Sequence, residues 1–592
     1  MTKHVVSALY LVVQVAIIYK LDDSERQVTR VINIPGTSAA YLTLAGLHII
    51  LFVRTCFPTN RRKLTNRNLL ANNTRHLQWL SPAKLAWLDR RLNEALAWLG
   101  SDNFMVAYNL IELAGQTYEA FAISHQLVDH TAVATFVVFV ALHAIVTPLC
   151  FLTAHKTTKI IMVNWTSSVC SFVMSSLLHI VAYLIPLVRY VVYNPNMARN
   201  PIALVRGVQF TRHNMVTSIP DGVAKCAIHL GSIVSLWRLV TSLRLATNAL
   251  NRGRRLTKQT SSNLTSSKMK HFGVRGWVKL YMMCSATWGV VLLVSLGHAA
   301  WFRDACPVSC VLFTRPLWDT RCQCSYVHVN CAVLKIADAE TALHASDLGS
   351  NVLAILISRC DLPTGLRNQT LHQFPSLYYL GVKFTNTSSW PDASLPPFMS
   401  VVVFRNMPMA VVPTMLLGQL PRVLVSMTLS NLPLVEPFEV PATWQTLTRL
   451  CLTNVSISSL PTTVFAHMNL NRLFLYHNAI TALPNALQGM RSLSVVDVSG
   501  NHMTKAPWNL LQQTSRTVLL CGNPLDDPTV PDFVDARQRQ AYVETFQASC
   551  INPCAPDCYR HFLGDYECQL PCFTSACDYD HGDCDVFQFD RT

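Results

Sequence analysis

Charged side chains are scarce in this chain of 592 residues. Asp, Glu, Lys and Arg make up 14% of it and hydrophobic residues 51%, whereas soluble globular domains usually carry ~25% charged residues. A deficit of this size excludes an ordinary soluble protein for at least part of the chain and indicates membrane segments. The length also exceeds that of a single domain, so we expect several domains.

Signatures of catalysis are also missing. The sequence contains no H-E-x-x-H zinc motif, no G-x-S-x-G nucleophile elbow, no G-x-x-x-x-G-K-[ST] phosphate loop and no kinase signature set. A basic stretch at residues 246–278 is too short and too basic for a catalytic cytoplasmic domain. We therefore expect a protein that is not an enzyme.

Cysteine is scarce before residue 302 and abundant after it, with 5 and 15 cysteines in the two parts. Charge changes at the same point: residues 1–301 hold 30 Lys and Arg against 10 Asp and Glu, and residues 302–592 hold 18 against 23. A basic, apolar half joined to an acidic, cysteine-rich half indicates that the two halves lie on opposite sides of a membrane.

Residues 1–301 are predicted to form a multi-pass α-helical membrane region. Clear candidate spans are residues 37–57, 131–153, 165–188 and 280–301, each long enough for a bilayer that needs ~20 apolar residues. Residues 5–19 are either a short uncleaved helix or a signal-peptide core, and we favour the helix. Residues 103–123 and 223–245 are ambiguous, so the total is five or seven, and five is slightly favoured.

Basic residues near the ends of these spans set the orientation. Arginines follow the span at residues 37–57, and residues 246–278 are polybasic. By the positive-inside rule both loops are cytoplasmic. We interpret the polybasic loop as a topology signal and not as a nucleic-acid site. An odd number of spans then places the cysteine-rich half outside the cell, at the plasma membrane.

Two further segments of the membrane region have alternative interpretations. Residues 81–100 predict an amphipathic helix that lies on the lipid surface or packs on another protein segment. Residues 103–123 place Asn109, Glu112, Gln116 and Glu119 on one helical face. This polar seam either lines a cavity between membrane helices, as an ion path would, or faces water at the interface. We favour the second alternative, because a carboxylate at the bilayer centre is costly.

A leucine pattern, L-x-x-L-x-L-x-x-N-x-L, recurs eight times between residues 352 and 525 and is clearest at Leu470–Ile480. Positions equivalent to its Asn recur at intervals of 25, 22, 25, 23, 23, 23 and 22 residues, at Cys360, Thr385, Met407, Leu432, Val455, Asn478, Asn501 and Asn523. This period is the signature of a leucine-rich repeat solenoid, an α/β fold whose stacked strands share one core.

The repeat also predicts the role of individual positions. Leucines two apart point to the same side of a strand, and the Asn amide can bond the backbone where the chain turns. The opposite side of the strands forms a ladder that we predict to be exposed and to bind a macromolecular ligand, with aromatic and Arg side chains as frequent hot spots. We name this set the ladder face: Lys383, Arg405, Arg449, Phe474, Tyr476, His477 and Asp497. Cys451 also falls on it.

Cysteines flank the repeats at both ends. Residues 302–345 contain Cys306, Cys310, Cys322, Cys324 and Cys331. At the other end, Cys521 in C-G-N-P-L precedes residues 526–552, which contain Cys550. These segments resemble the N-terminal and C-terminal cysteine caps of extracellular leucine-rich repeat domains. The resemblance implies a Cys521–Cys550 cap, Cys322 paired with Cys331, and Cys324 paired with Cys306 or Cys310.

The final segment, residues 553–592, carries six cysteines separated by 3, 9, 3, 4 and 6 residues and ends in D-x-G-D-C. It resembles the Lin-12/Notch repeat. The resemblance implies the pairs Cys554–Cys577, Cys558–Cys572 and Cys568–Cys584, and a calcium ion held by Asp565, Asp580 and Asp583. Chemistry agrees, because so small a segment has almost no core and needs disulfides and a hard cation for its order. This copy has Tyr579 where the family has Trp and His581 where the family has its first Gly.

Together these features predict a multidomain protein: a polytopic membrane region at residues 1–301, a capped solenoid with repeats at residues 346–525, and a small calcium-binding module. Sequons that begin at Asn368, Asn386 and Asn454 are consistent with glycosylation outside the cell. The favoured function is a receptor-like or adhesion protein with membrane lipid and a macromolecular, mainly protein, ligand as partners. The alternative is a transporter or channel that works through Glu112 and Glu119 and is regulated by the ectodomain.

Overall fold

The computed structural model describes residues 2–21, 23–56, 102–153, 155–186, 199–256, 276–391, 393–435, 440–460, 465–511, 516–525 and 553–590, together with residues 188, 197, 535–537, 540 and 550. The predicted surface helix at residues 81–100, most of the basic loop at 246–278 and most of the C-terminal cap at 526–552 lie outside this set.

The N-terminal region is a bundle of helices. In chain order they are α1 (Thr2–Lys20), α2 (Asp23–Thr29), α3 (Ile34–Cys56), α4 (Asp102–Gln126), α5 (His130–Leu149), α6 (Lys156–Phe172), α7 (Pro201–Asn214), α8 (Ile219–Leu256) and α9 (Gly276–Trp301). Asp129 caps α5, because its carboxylate accepts hydrogen bonds from the amides of Thr131 and Ala132. Two π turns, Val173–Leu177 and Ile180–Leu184, follow α6.

Six of the described helices are long and apolar enough to cross a membrane, by length and composition alone. They are α1, α3, α5, α6 with its π turns, α8 and α9. The sequence leaves α4 and α8 ambiguous together. In the structure they pack against each other, and α4 is a 25-residue helix inside the bundle. The two ambiguous segments are therefore both integral parts of this bundle.

The solenoid is built on one ten-stranded sheet in sequence order. Its strands are β1 (Cys310–Thr314), β2 (Gln323–Asn330), β3 (Ala354–Ser358), β4 (Tyr379–Lys383), β5 (Val401–Arg405), β6 (Ser426–Ser430), β7 (Arg449–Thr453), β8 (Arg472–Phe474), β9 (Val495–Asp497) and β10 (Thr517–Leu519). The strands β3 to β10 are parallel and correspond to the eight predicted repeats. The leucines of the repeats form one continuous core along their length.

The asparagines of the last repeats satisfy the backbone as the pattern predicts. The Asn478 amide accepts hydrogen bonds from the backbone N–H of Val455 and Ile457 and donates to the carbonyls of Leu452 and Leu475. The Val455 repeat, which lacks the Asn, is therefore served by the Asn of the next repeat. The residue before each Asn-equivalent position has a positive φ, at Arg359, Phe384, Asn406, Asn431, Asn454, His477, Gly500 and Gly522. The chain thus leaves every strand through the same left-handed turn.

The N-terminal cap corrects one predicted disulfide. Cys322 pairs with Cys306, Cys324 with Cys310, and Cys331 with Cys360, so the predicted pair Cys322–Cys331 is wrong. The physical reason is that these two cysteines lie at opposite ends of β2, which has 8 residues. A strand rises ~3.3 Å per residue, so they lie too far apart for a bond that needs Cα atoms ~5.5 Å apart. Cys360 closes the first repeat covalently, at the position where the last three repeats have Asn.

Candidate functional site: the covered ladder face

All seven predicted ladder-face residues lie on one side of the sheet, opposite the leucine core, but the prediction that they are exposed is wrong. Arg405 is 2% exposed, Asp497 1%, and Phe474 and Tyr476 6% each. Lys383 is also buried, and Arg449 and His477 are half-buried. The cover is the C-terminal module, residues 553–590, which folds back onto the face. Sequence reasoning could not foresee this contact, because no local pattern links segments so distant in the chain.

The module covers the face along several strands through aromatic contacts. The ring of Phe562 lies 4.8 Å from that of Tyr476, and Tyr559 stacks on His477 at 6.1 Å between ring centroids. Near the other end, the ammonium of Lys383 lies 5.7 Å from the centre of the Phe587 ring. Each contact removes apolar surface of the ladder from water, which is the main favourable contribution to docking.

At the centre of this contact, one carboxylate of the module meets three guanidinium groups. Glu567 Oε1 lies 3.4 Å from an Nη atom of Arg449 and 3.7 Å from Nε of Arg199, and Glu567 Oε2 lies 3.5 Å from an Nη atom of Arg405. Burial alone would raise the pKa of Glu567, but the three arginines outweigh it and hold that pKa at about 2. The carboxylate is therefore ionised at any physiological pH.

Arg199 reaches this cluster from the loop before α7 and connects the helical region to the module. Its guanidinium also contacts the carboxylate of Asp565 and lies 4.9 Å from the centre of the Phe474 ring. Elsewhere in this contact, His561 Nε2 lies 3.1 Å from Asp497 Oδ2. Neither Arg199 nor Glu567 stands out in the sequence, since one follows the spans in a short loop and the other lies inside a disulfide-rich stretch.

Cys451 gains an explanation from this cover. Its thiol forms no disulfide, but it is 1% exposed and lies in the apolar cluster that Phe474 and Tyr476 of the ladder face form with Phe562 of the module. Burial, followed by the nearby Glu567 charge, raises the pKa of Cys451 to about 11. The thiol is thus neutral and shielded in this arrangement.

The C-terminal module has the three disulfides that the resemblance implies, Cys554–Cys577, Cys558–Cys572 and Cys568–Cys584. Cys521 pairs with Cys550 at the closing end of the solenoid. Tyr579, Asp580 and His581 all have positive φ, so this part of the module makes a left-handed turn without a glycine at these three positions.

Asp565, Asp580 and Asp583 lie close enough to influence one another. Burial first, and then the charges of the other two, raise the pKa of Asp580 to about 7. Burial and Asp565 raise the pKa of Asp583 to about 7 as well. One oxygen of Asp580 is buried with no hydrogen-bond partner. Crowded, partly unsatisfied carboxylates of this kind fit a divalent cation, although Arg199 already contacts Asp565.

The polar seam of α4 faces the inside of the bundle, so the favoured prediction that it faces water is wrong. Asn109, Glu112, Gln116 and Glu119 are all at most 3% exposed. Glu112 accepts hydrogen bonds from Gln116 at 3.1 Å, from Ser167 at 2.9 Å and from Ser171. Burial is affordable because helices α6 and α5 supply these and other polar partners, including His143, whose Nδ1 lies 2.6 Å from Gln116.

The predicted glycosylation asparagines are all exposed on the solenoid. Asn368 accepts a hydrogen bond from the Ser394 amide, and Asn386 accepts one from the Leu362 amide. Asn454 donates to Asn431 at 3.0 Å. Their side chains thus take part in the surface of the repeats.

Comparison with known proteins identifies the class of the solenoid. The leucine-rich repeat family model matches residues 445–503, so the chain contains leucine-rich repeats, and a domain of this class suggests a role in binding proteins or other ligands. A leucine-rich repeat protein of Leptospira interrogans is 17% identical over 29% of this chain and 50% of its own, with a TM-score of 0.24. An internalin of Listeria monocytogenes is 15% identical over 33% of this chain and 75% of its own, also with a TM-score of 0.24.

The chain thus spans half the length of the Leptospira structure. A search of curated proteins finds no match.

Proposed function

We propose that this chain is a multi-pass plasma-membrane protein that holds its solenoid and C-terminal module outside the cell and binds a protein ligand through the solenoid. The observation that carries the proposal is the distribution of thiols. Among the described residues, all seven disulfides lie between Cys306 and Cys584. In the helical region, Cys150, Cys170, Cys226 and Cys284 form no disulfide. Disulfides persist in oxidising compartments, so this distribution supports an outward-facing second half.

Such a protein acts by recognition and not by catalysis. Proteins with this repeat are generally non-enzymatic, and a sheet face lined by arginines and aromatic rings is suited to holding a partner. In this interpretation the helical region anchors the solenoid in lipid and connects to it through Arg199. Glycans on Asn368, Asn386 and Asn454 would then cover part of the outer surface.

Calcium is the proposed cofactor of the C-terminal module. Asp565, Asp580 and Asp583 would hold it, because carboxylate oxygens are the ligands that calcium prefers. The ion would neutralise the repulsion between these side chains and add order to a segment whose core is small. The unpartnered oxygen of Asp580 supports this assignment.

Calcium is expected to stabilise the module against heat. Extracellular calcium modules bind with Kd of roughly 0.1–1 mM, so 10 mM calcium should add about 1.4–2.7 kcal/mol to the free energy of unfolding of the module. The measurement is thermal unfolding of the full chain in lipid nanodiscs, with hydrogen exchange of residues 553–590 as the signal that reports unfolding of the module. Magnesium at the same concentration is the control, and Asp580→Asn should reduce the shift. Equal melting with and without calcium would contradict the assignment.

Transport through the helical bundle is a second candidate function, and the burial of the polar seam favours it. Glu119 lines a cavity of about 20 Å³ together with His179, Lys225 and His229. This volume suffices for one water molecule. His179 and Asn214 also line a larger cavity of about 440 Å³ at the end of the bundle near α7. One oxygen of Glu119 is buried without a hydrogen-bond partner, as expected for a group that exchanges a proton or cation.

A further inference from the structure

The ladder face carries more positive than negative charge without its cover. Lys383, Arg405 and Arg449 lie on it against a single carboxylate, Asp497, whose partner His561 belongs to the module. Under the cover, burial and then the charge of Arg405 lower the pKa of Lys383 to about 8. The charged form of this amine is therefore disfavoured there. Any partner that covers this face must therefore bring an anion, because cations that are buried without a partner are costly.

In this structure the anion is Glu567 of the same chain. The contact has two parts: a carboxylate that sits between Arg199, Arg405 and Arg449, and the ring of Phe562 against Tyr476. Arg405 additionally donates to the hydroxyl of Tyr476 at 3.1 Å. The rings and the guanidinium groups therefore form one surface, which binds an acidic side chain next to an aromatic one.

The module that supplies this anion is suited to leave the face as a unit. Three disulfides close residues 554–584 on themselves, so covalent bonds hold the module together whether or not it contacts the face. The ion pairs at its centre add little net stability, since desolvation of the charges offsets most of their attraction. Their main contribution is specificity for an anion, and a ligand with several carboxylates can compete for the same arginines.

We propose that the ladder face is a binding site for an acidic, aromatic-bearing protein segment, and that the C-terminal module occupies this site as a built-in competitor. This inference rests on the proposed function, because it names the ligand class and the regulation of the same surface. Glu567 and Phe562 stand for the carboxylate and ring that the ligand presents. Binding of the ligand at the ladder face then requires displacement of the module.

Cys451 is a native reporter of that displacement, because it lies beneath the module. We would treat the full-length protein in nanodiscs with a polar maleimide and quantify modification of Cys451 by mass spectrometry. Glu567→Gln keeps the size of the side chain and removes its charge, so modification should become at least tenfold faster. Asp590→Asn, an exposed carboxylate of the same module, is the matched control and should react like the wild type.

Binding is measured on the same proteins with a fluorescent twelve-residue peptide of alternating Glu and Phe. Because a fractionally open site weakens apparent affinity in proportion to the open fraction, Glu567→Gln should bind the peptide at least tenfold more tightly than the wild type. Adding Arg449→Gln to that variant should reduce binding again. A peptide with Lys in place of Glu and a sulfated oligosaccharide are the comparison probes.

The outcomes separate the inference from the proposed function. Unchanged Cys451 modification in Glu567→Gln would overturn the idea of a displaceable module. Faster modification without tighter binding of the acidic peptide, or preference for the Lys peptide or the oligosaccharide, would overturn the ligand class while the outward-facing interaction protein stands. If Glu567→Gln fails to fold, Phe562→Ala serves as the second variant, because it removes a ring and no charge. It must then show both faster labelling of Cys451 and tighter binding of the acidic peptide.

Discussion

Asn478→Ala is expected to destabilise the solenoid by about 3 kcal/mol, the largest stability effect that we foresee for a single polar side chain. The substitution strands the buried amides of Val455 and Ile457, which both donate to Asn478. An unsatisfied buried donor costs about 1–3 kcal/mol. The substitution also removes the two hydrogen bonds that the Asn478 amide donates to the carbonyls of Leu452 and Leu475. The loss should therefore spread to the repeats on both sides, since each repeat is stabilised by its neighbours.

Hydrogen exchange of the full chain in nanodiscs measures this effect, because the free energy of local opening is read repeat by repeat. Asn469→Ala is the matched control. Asn469 is exposed and bonds only the hydroxyl of Ser492 in the described structure, so its removal should change the opening free energy by less than about 0.5 kcal/mol. Equal effects of the two substitutions would show that the hydrogen bonds of Asn478 do not stabilise the repeats.

Glu119→Gln is expected to abolish proton flux through the helical bundle if the second candidate function holds. Glu119 lines the small cavity, and its other oxygen lies 4.0 Å from Nδ1 of His213. Glutamine keeps the shape but cannot bind and release a proton, so a relay through this position stops. Glu112→Gln should reduce flux as well, because Glu112 lies two helical turns away on the same face of α4.

The measurement is the pH change inside sealed proteoliposomes, reported by a trapped dye after a potassium diffusion potential is imposed. Flux in the wild type and a decrease of at least tenfold in Glu119→Gln are expected. Ile111→Ala is the control, since Ile111 is a 63% exposed side chain on the same helix. Wild-type liposomes that leak no faster than empty ones would remove transport from consideration, and the seam would then be a structural contact between helices.

The sequence predicted the solenoid well because its information is periodic and local. A fixed interval between leucines determines the strand register, and the constant left-handed turn follows from the same repeat. The resemblance of the C-terminal module to the Lin-12/Notch repeat, which is carried by a local cysteine motif, likewise implied the pairs that the structure contains. In both cases neighbouring residues carry the whole signal.

Long-range contacts are where the prediction failed. The Cys331–Cys360 bond depends on stacking of the cap on the first repeat, and the ladder face is covered by a segment more than 50 residues beyond it. Neither contact leaves a periodic trace. From the sequence, the polar seam of α4 is predicted to face water, because burial of carboxylates is costly. The sequence could not reveal that Ser167, Ser171 and His143 on other helices provide polar surroundings for it.

The location of the C-terminal half is the claim on which disulfides, calcium and ligand binding all depend. Its most direct test is an epitope tag fused after Thr592 and probed with an antibody on intact cells before and after permeabilisation. The account predicts full staining on intact cells, with no gain on permeabilisation. Staining that needs permeabilisation would place the solenoid in a reducing, calcium-poor compartment and contradict the account.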